Sequence, residues 1–384
     1  MTGQIPVVDE PDSSAHILRL VSSGAAASRS DLARILGVAR STVSLRVQEL
    51  IDAGLLSETG EGPSRGGRRP RLLRPSSDGG FVLAADLGVC HVRLGAVDLG
   101  RTLVRAEDFE LDVTAGPEAV LDELLALSLK FIRQDALLDR RLLGLGVGLP
   151  GPVNFTDGTV VGASRMPGWH GFGVRDRLAD RLEVPVLVDN DANLVALGEY
   201  HTRGRTGENL MVVKAGNGIG CGMISAGRVH RGASGVAGDV THVRVPAAGD
   251  LPCSCGNTGC LETIASGGAV LSTVAGKGIE ISTTAELAGL AANFDPVVTS
   301  VVRFAGRQLG EVLSTMVNFF DPHALLLAGR MATIEPYVAA VRGALYERCL
   351  PVATQNLEIG LAGAGADAGV LGAGILVLDN ALTG

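Results

Sequence analysis

The chain has 384 residues, 46% of them hydrophobic and 19% charged, which suits two or three packed units and excludes a disordered polymer. Fifty-three glycines against 3% aromatic residues point to tight turns and close backbone contacts rather than to an aromatic-rich β-sandwich. The net charge of −8 is uneven, since ten arginines face nine carboxylates up to residue 80 and the acidity lies beyond it. No apolar run reaches the ~18–20 residues of a membrane span. Residues 1–11 are polar and acidic without the basic-then-apolar order of a signal peptide, so a cytoplasmic chain with no membrane partner is expected.

Residues 1–13 read as a flexible N-terminus, and 15–57 as three short helices followed by a strand. Ala15, Ile17, Leu18 and Val21 give the first an apolar face that stops at Ser22-Ser23-Gly24; Ser28 or Ser30 caps the second, which ends at Gly37. The third, Ala39 to Ala53, turns Val43, Val47, Leu50 and Ile51 inward and carries Arg40, Ser41, Thr42, Ser44 and Arg46 on its outer first turns. A polar helix start after a short turn is the pattern of a helix-turn-helix recognition helix, so these five residues are candidate DNA contacts. The stretch from Gly62 to Arg74 holds five arginines and no acid. On a Gly/Pro backbone Arg65, Arg68 and Arg69 could follow a narrow minor groove, or the glycine-rich centre could be a solvated linker.

From Phe81 the pattern becomes α/β: strands at Phe81–Asp86, Val92–Val97 and Leu103–Leu111, a helix from about Pro117 to Gln134, and a buried strand at Leu142–Leu149. It recurs with strands at Leu210–Lys214 and Gly220–Ser225, a long helix from about Val298 to Phe320 and a strand at Ala324–Leu327. Strands followed by helices, twice over, suggest two α/β halves around a cleft.

His242, Cys253, Cys255 and Cys260 form H-x10-C-x-C-x4-C, and three thiolates with one imidazole match a closed, tetrahedral, structural Zn²⁺ site in the loop 242–260. Cys90, Cys221 and Cys349 are scattered in apolar surroundings, so a disulfide framework is not expected. Asp86-Leu87-Gly88 could set a carboxylate near a phosphate or simply make a hairpin turn. In the turn from Lys214 to Gly222, Gly216, Gly218 and Gly220 let the backbone approach an anion. Gly363 to Gly369 opens the last helix with small residues that admit a flat ring or tight helix packing. Val188 to Asn193 ends a strand and starts a helix, placing polar groups where α/β folds bind ligands; Asp189 or Asp191 could also be an N-cap there.

Taken together, the stretch from Lys214 through Gly238-Asp239-Val240-Thr241-His242 to Cys260-Leu261-Glu262 resembles the ROK family (repressor, open reading frame, kinase) over essentially the whole chain from about residue 14. The resemblance implies a two-lobed actin-like ATPase fold with a structural zinc loop and a sugar in the interlobe cleft. Family members are sugar kinases or transcription factors with an added winged helix, and residues 14–75 put this chain with the regulators, 76–384 being the sugar-binding part. It also implies sugar contacts from Asn190, Asp191, Asp239, His242 and Glu262, with Asp191 in the kinases' general-base position.

The pattern departs from the kinases at both phosphate loops: Val89-Cys90 stand where Gly-Thr follows Asp86-Leu87-Gly88, and Gly216-Asn217-Gly218 lacks the threonine of G-T-G. Asp239 and Thr241 replace Glu and Gly in E-x-G-H, and Arg165 stands where kinases tend to have Asn. These changes argue against ATP and Mg²⁺, for which the three glycines would otherwise serve. The expectation is a sugar-responsive repressor, with a hexose or hexose derivative as effector, binding palindromic operator DNA as a homodimer or homotetramer. The alternative is an ATP-dependent hexose or N-acetylhexosamine kinase, or a chain with both activities.

Overall fold

The computed structural model describes residues 13–62, 69–76, 78–134, 137, 139–162 and 166–380. Ser13 accepts from His16 N and starts α1 (Ser14–Ser22). Ser28, rather than Ser30, caps α2 (Arg29–Leu36) by accepting from Asp31 N at 3.2 Å, and Gly37 ends it in the left-handed conformation with φ 68°. In α3 (Arg40–Asp52) Val43, Val47 and Leu50 are buried as the spacing predicts, whereas Ile51 is only half-buried. β1 (Leu56–Glu61) and β2 (Arg71–Pro75) pair antiparallel and complete a winged helix-turn-helix. Arg65 and Arg68 lie outside the described residues, and Arg69 is exposed.

The next strands, β3 (Phe81–Leu87), β4 (His91–Asp98) and β5 (Leu103–Glu110), form a meander. After α4 (Pro117–Arg133) come β6 (Leu142–Leu149), a small hairpin of β7 (Val153–Asn154) and β8 (Thr159–Val160), α5 (Val174–Leu182), β9 (Val186–Asn190) and α6 (Asp191–Arg203). The second lobe has β10 (Leu210–Ala215), β11 (Ile219–Ser225) and β12 (Arg228–Val229), then α7 (Glu262–Ala265), α8 (Gly267–Ala275), α9 (Thr284–Ala292) and α10 (Pro296–Phe320). It ends with β13 (Ala324–Ala328), α11 (Glu335–Arg348), α12 (Pro351–Gln355), β14 (Glu358–Leu361) and α13 (Ala368–Asn380).

Among the described residues each lobe holds a five-stranded sheet, β5-β4-β3-β6-β9 and β12-β11-β10-β13-β14. Both have an antiparallel meander followed by two strands added parallel, so the expected repeat is one topology used twice. Buried β3, β6 and β13 read as nearly unbroken apolar runs because helices cover both faces.

The lobes are joined by α6 and α13, which pack on each other; α6 also lies on β10 and β11 of the second sheet, and α13 on β3, β4 and β6 of the first. Their approach is set by missing side chains. A Cβ on Gly372 would lie 1.9 Å from Leu194 O, and one on Gly198 2.1 Å from Ala368 O. The small residues before α13 therefore serve close packing. The buried Glu199 accepts from Gly363 N and Ala364 N at 2.9 and 2.6 Å, fixing that approach.

The winged helix is not held only by a linker. Ile17, Leu18, Val21 and Leu73 share one apolar cluster with Val82, Ala84, Val97 and Leu99 of the first sheet and with Val370, Ala373 and Val377 of α13. Arg101 Nε donates to Ser22 Oγ at 3.1 Å, and its guanidinium pairs with Asp379. Cys90 departs from the sequence reading, which placed it in apolar surroundings: it sits exposed in the turn between β3 and β4. Cys221 and Cys349 are buried, and burial pushes the Cys221 thiol up to about 12.

Candidate functional site

The two lobes meet where β3, β9 and β10 end, with Lys214 of β10 facing Asp86 of β3 and Asp191 just after β9. Asn190, not Asp189 or Asp191, caps α6: its Oδ1 accepts from Ala192 N and Asn193 N at 3.0 and 3.3 Å, and its Nδ2 donates to Gly151 O at 3.1 Å. Both aspartates are engaged across the cleft. Asp189, 1% exposed, receives Arg231 Nε and Nη2 at 2.8 and 2.6 Å, and the Arg231 guanidinium lies 3.8 Å from the Phe155 ring centroid. Asp191 Oδ2 receives Lys214 Nζ at 2.9 Å, and Lys214 also reaches Asp86 Oδ1 at 3.6 Å. Burial opposes a charged Lys214, but Asp191 and Asp86 outweigh it and raise its affinity for the proton; burial raises the Asp86 carboxyl as well.

The remaining predicted cleft residues gather on the other side of the same turn. Glu262 Oε2 accepts from Ile219 N at 3.3 Å, Thr241 Oγ1 donates to Ile219 O at 2.5 Å, and Glu262 N donates to Thr241 O at 3.0 Å. Asp239 is exposed and accepts from Thr241 N at 3.1 Å. Because Ala215 pairs with Ile219 in the β10–β11 hairpin, Asp191 on the Lys214 side and Thr241 and Glu262 on the Ile219 side flank one turn. That turn is already engaged: Gly216 O accepts from Gly267 N at 2.9 Å and Asn217 O from Gly268 N at 3.0 Å, so the first N–H groups of α8 face carbonyls. Gly220 lies close against α6, where a Cβ would stand 3.0 Å from Ala192 Cβ.

Cys253 N donates to Asn257 O and Gly256 N to Cys253 O, bending the knuckle that holds the thiols. His242 Nδ1 lies 3.5 Å from Cys253 Sγ, Cys255 Sγ lies 3.8 Å from Cys260 Sγ, and all four donor atoms fall within 4.8 Å of one another. A tetrahedral ion with bonds of about 2.3 Å to sulfur and about 2.0–2.1 Å to nitrogen gives edges of about 3.8 and about 3.6 Å, so the donor set fits a metal of zinc's size. Burial pushes the Cys260 thiol up to about 12, helped by hydrogen bonds with Cys255 and Cys253. At Cys255 burial is overcome by hydrogen bonds from Asn257 and the neighbouring thiols, and the thiol is lowered. A cation would remove this competition by holding all three as thiolates.

On the winged helix, Arg40 and Ser41 are exposed, and Thr42, Ser44 and Arg46 are half-buried. Arg46 Nη1 pairs with Glu49 at 3.1 Å, whereas α3 begins at Ala39 without any side-chain cap. Two residues of this surface carry no short-range sequence signal: Leu45, 61% exposed on the same helix, and Arg29, which donates to Ser44 O and Glu58 and so fixes α3 against α2 and the wing. Nor did the sequence assign a role to Lys214 or Arg231. A lone charge closing the apolar run Leu210–Val213 was the available signal for Lys214; the Arg231 contact joins positions 42 residues apart and had none.

The architecture is that of a DNA-binding head fused to a two-lobed, actin-like α/β body. Residues 82–380 match the ROK family and residues 12–59 a helix-turn-helix domain, and the chain belongs to the ROK family. It is 29% identical to the xylose repressor of Bacillus subtilis (strain 168) over 368 residues, covering 95% of this chain and 94% of that protein. A ROK family transcriptional regulator described as a homolog of E. coli MLC protein superposes with TM-score 0.80 at 26% identity, covering 97% of this chain and 98% of that one. A ROK glucokinase from Streptomyces griseus, solved with glucose and AMPPNP, matches with TM-score 0.66 at 25% identity over 77% of this chain and 99% of its own. Among the described residues no helix is long and apolar enough to cross a membrane.

Proposed function

We propose that the chain is a sugar-responsive transcriptional repressor. Its α3 enters the major groove of operator DNA through Arg40, Ser41, Thr42, Ser44 and Arg46, with Arg65, Arg68 and Arg69 of the wing following the adjacent minor groove. A sugar binds between the lobes on Asn190, Asp191, Asp239, His242 and Glu262, whose carboxylates and amide accept from and donate to hydroxyls. The relative named for xylose widens the expected effector from hexoses to pentoses. His242 also joins Cys253, Cys255 and Cys260 on a structural Zn²⁺; its Nδ1 faces the thiols and leaves Nε2 for the cleft. Two heads in a dimer, or a pair of dimers, read a palindrome.

The observation that carries this reading is the continuous apolar cluster shared by the head, the first lobe and α13. A sugar that binds one lobe arrangement more tightly than another can thereby redirect the heads, since only differential affinity shifts a population. The test is fluorescence anisotropy of the full chain on DNA upstream of its own gene, at two salt concentrations, titrated with xylose, glucose and N-acetylglucosamine. Specific binding that one sugar weakens is expected; Arg40→Ala should reduce specific affinity by about 10- to 100-fold. Specific binding indifferent to every sugar, or unchanged in both Arg40→Ala and Arg46→Ala, would overturn the assignment.

A further inference from the structure

Between the lobes lies a cation that is not among the proposed sugar contacts. Lys214 Nζ, on the second lobe, lies 2.9 Å from Asp191 Oδ2 and 3.6 Å from Asp86 Oδ1, both on the first. Asp86 is packed closely beside it. A Cβ on Gly369 would lie 2.1 Å from Asp86 Oδ2, and one on Gly148 3.2 Å from Asp86 Oδ1, so the backbones of α13 and β6 enclose the carboxylate. The triad thus joins two acids and one ammonium, each mostly buried, with side-chain exposures of 13%, 15% and 27% for Asp86, Asp191 and Lys214.

The same fold in the Streptomyces griseus glucokinase was solved with both glucose and AMPPNP, so a cleft of this kind can hold a nucleotide beside a sugar. A nucleotide used for phosphoryl transfer brings Mg²⁺, which is held by one or two carboxylates together with the phosphates. Here the Lys214 ammonium donates to Asp191 and stands 3.6 Å from Asp86 Oδ1, which accepts no hydrogen bond, so a divalent ion on either carboxylate would stand against that charge at close range. The neighbouring turn adds to the misfit, because Gly216 O and Asn217 O occupy the first N–H groups of α8. The residues present therefore do not fit a magnesium nucleotide.

We propose that Lys214 is the resident cation of this cleft and determines its specificity: it holds Asp86 and Asp191 for a neutral sugar and excludes the magnesium nucleotide. The inference rests on the effector reading of the cleft, but its test needs no DNA. Full-length wild type, Lys214→Gln, Lys214→Met and Lys214→Arg are titrated with Mn²⁺, alone and with AMPPNP, following free Mn²⁺ by electron paramagnetic resonance. Wild type and Lys214→Arg should leave the Mn²⁺·AMPPNP signal unchanged, while the two neutral variants gain at least about tenfold in affinity.

Saturable binding of Mn²⁺·AMPPNP by wild type, or no gain in a folded neutral variant, overturns the proposal. The Met variant, which fills the same space, decides if the Gln variant does not fold, and the wild-type titration decides against the proposal without either. Loss of sugar-gated operator binding with Mn²⁺ still excluded would overturn the effector reading and leave this one standing.

Discussion

Removing Arg231 tests how firmly the two lobes are pinned beside the proposed sugar site. Arg231 makes two hydrogen bonds to one oxygen of the buried Asp189 and stacks on Phe155. Breaking one partner of a buried pair costs about 3–5 kcal/mol, mostly the penalty of the abandoned charge. The Arg231 side chain is 21% exposed, so water can enter the vacated space and the lower end, about 3 kcal/mol, applies to Arg231→Ala. Arg231→Lys keeps the charge and loses the planar stack and one donor, for about 1–2 kcal/mol. Urea unfolding followed by Trp169 reads this directly, because the single tryptophan is fully buried in the first lobe with Nε1 on Val113 O at 3.0 Å. A double-mutant cycle with Asp189→Asn should give a coupling above about 1 kcal/mol. A loss below about 1 kcal/mol for Arg231→Ala, or strict additivity in the cycle, would refute the assignment of the pair as an interlobe pin.

Gly372→Ala should lose about 3 kcal/mol in the same assay, because its methyl meets the backbone of Leu194 rather than a side chain that can move. Gly343→Ala, a helical position with open space around it, should be neutral or stabilising by up to ~1 kcal/mol. On the proposed zinc site, Cys255→Ser should lower the zinc content measured on the purified chain and abolish the sugar response while operator binding by the head persists; a zinc content equal to that of the wild type would reject the ligand set. Burial and the Arg101 charge lower the His201 imidazole, with Asp379 opposing. Its folded form therefore binds the proton less than the unfolded form does, and its stability contribution is complete above pH ~6.5 and falls as pH drops below that. His201→Gln should flatten this part of the stability–pH curve, and an unchanged curve would show that the imidazole is not the titrating group.

The sequence carried the local elements and the clustering of His242 with the three cysteines well, for a physical reason: caps, apolar periodicity and thiol spacing are short-range signals. Ser28 and Gly37 are each readable within a few residues, and the H-x10-C-x-C-x4-C run within the 19 from His242 to Cys260. What escaped it depends on chain segments meeting across the fold. Asp189 reads equally as a cap until Arg231 is brought onto it, and the contact of Gly220 with Ala192 joins positions 28 residues apart. The basic run after residue 62 reads equally as a linker, since only the tertiary structure joins Leu73 to Val82 and Val370 in one cluster. Lys214 lay within sight as a charge ending an apolar strand, but its two acids sit 128 and 23 residues away.

The place of α13 bears on synthesis. The winged helix is translated first and can form its own helices at once, yet the floor on which it rests includes Val370, Ala373 and Val377 from the last described helix. Until that helix emerges from the ribosome, Val82, Ala84 and Val97 of the first sheet lack their cover, and the head has no fixed orientation. A nascent chain stalled before residue 368 would thus expose an apolar face and present its head without a seat. Such a product would lack, at one stroke, part of the seat of its head and one of the two helices that join its lobes.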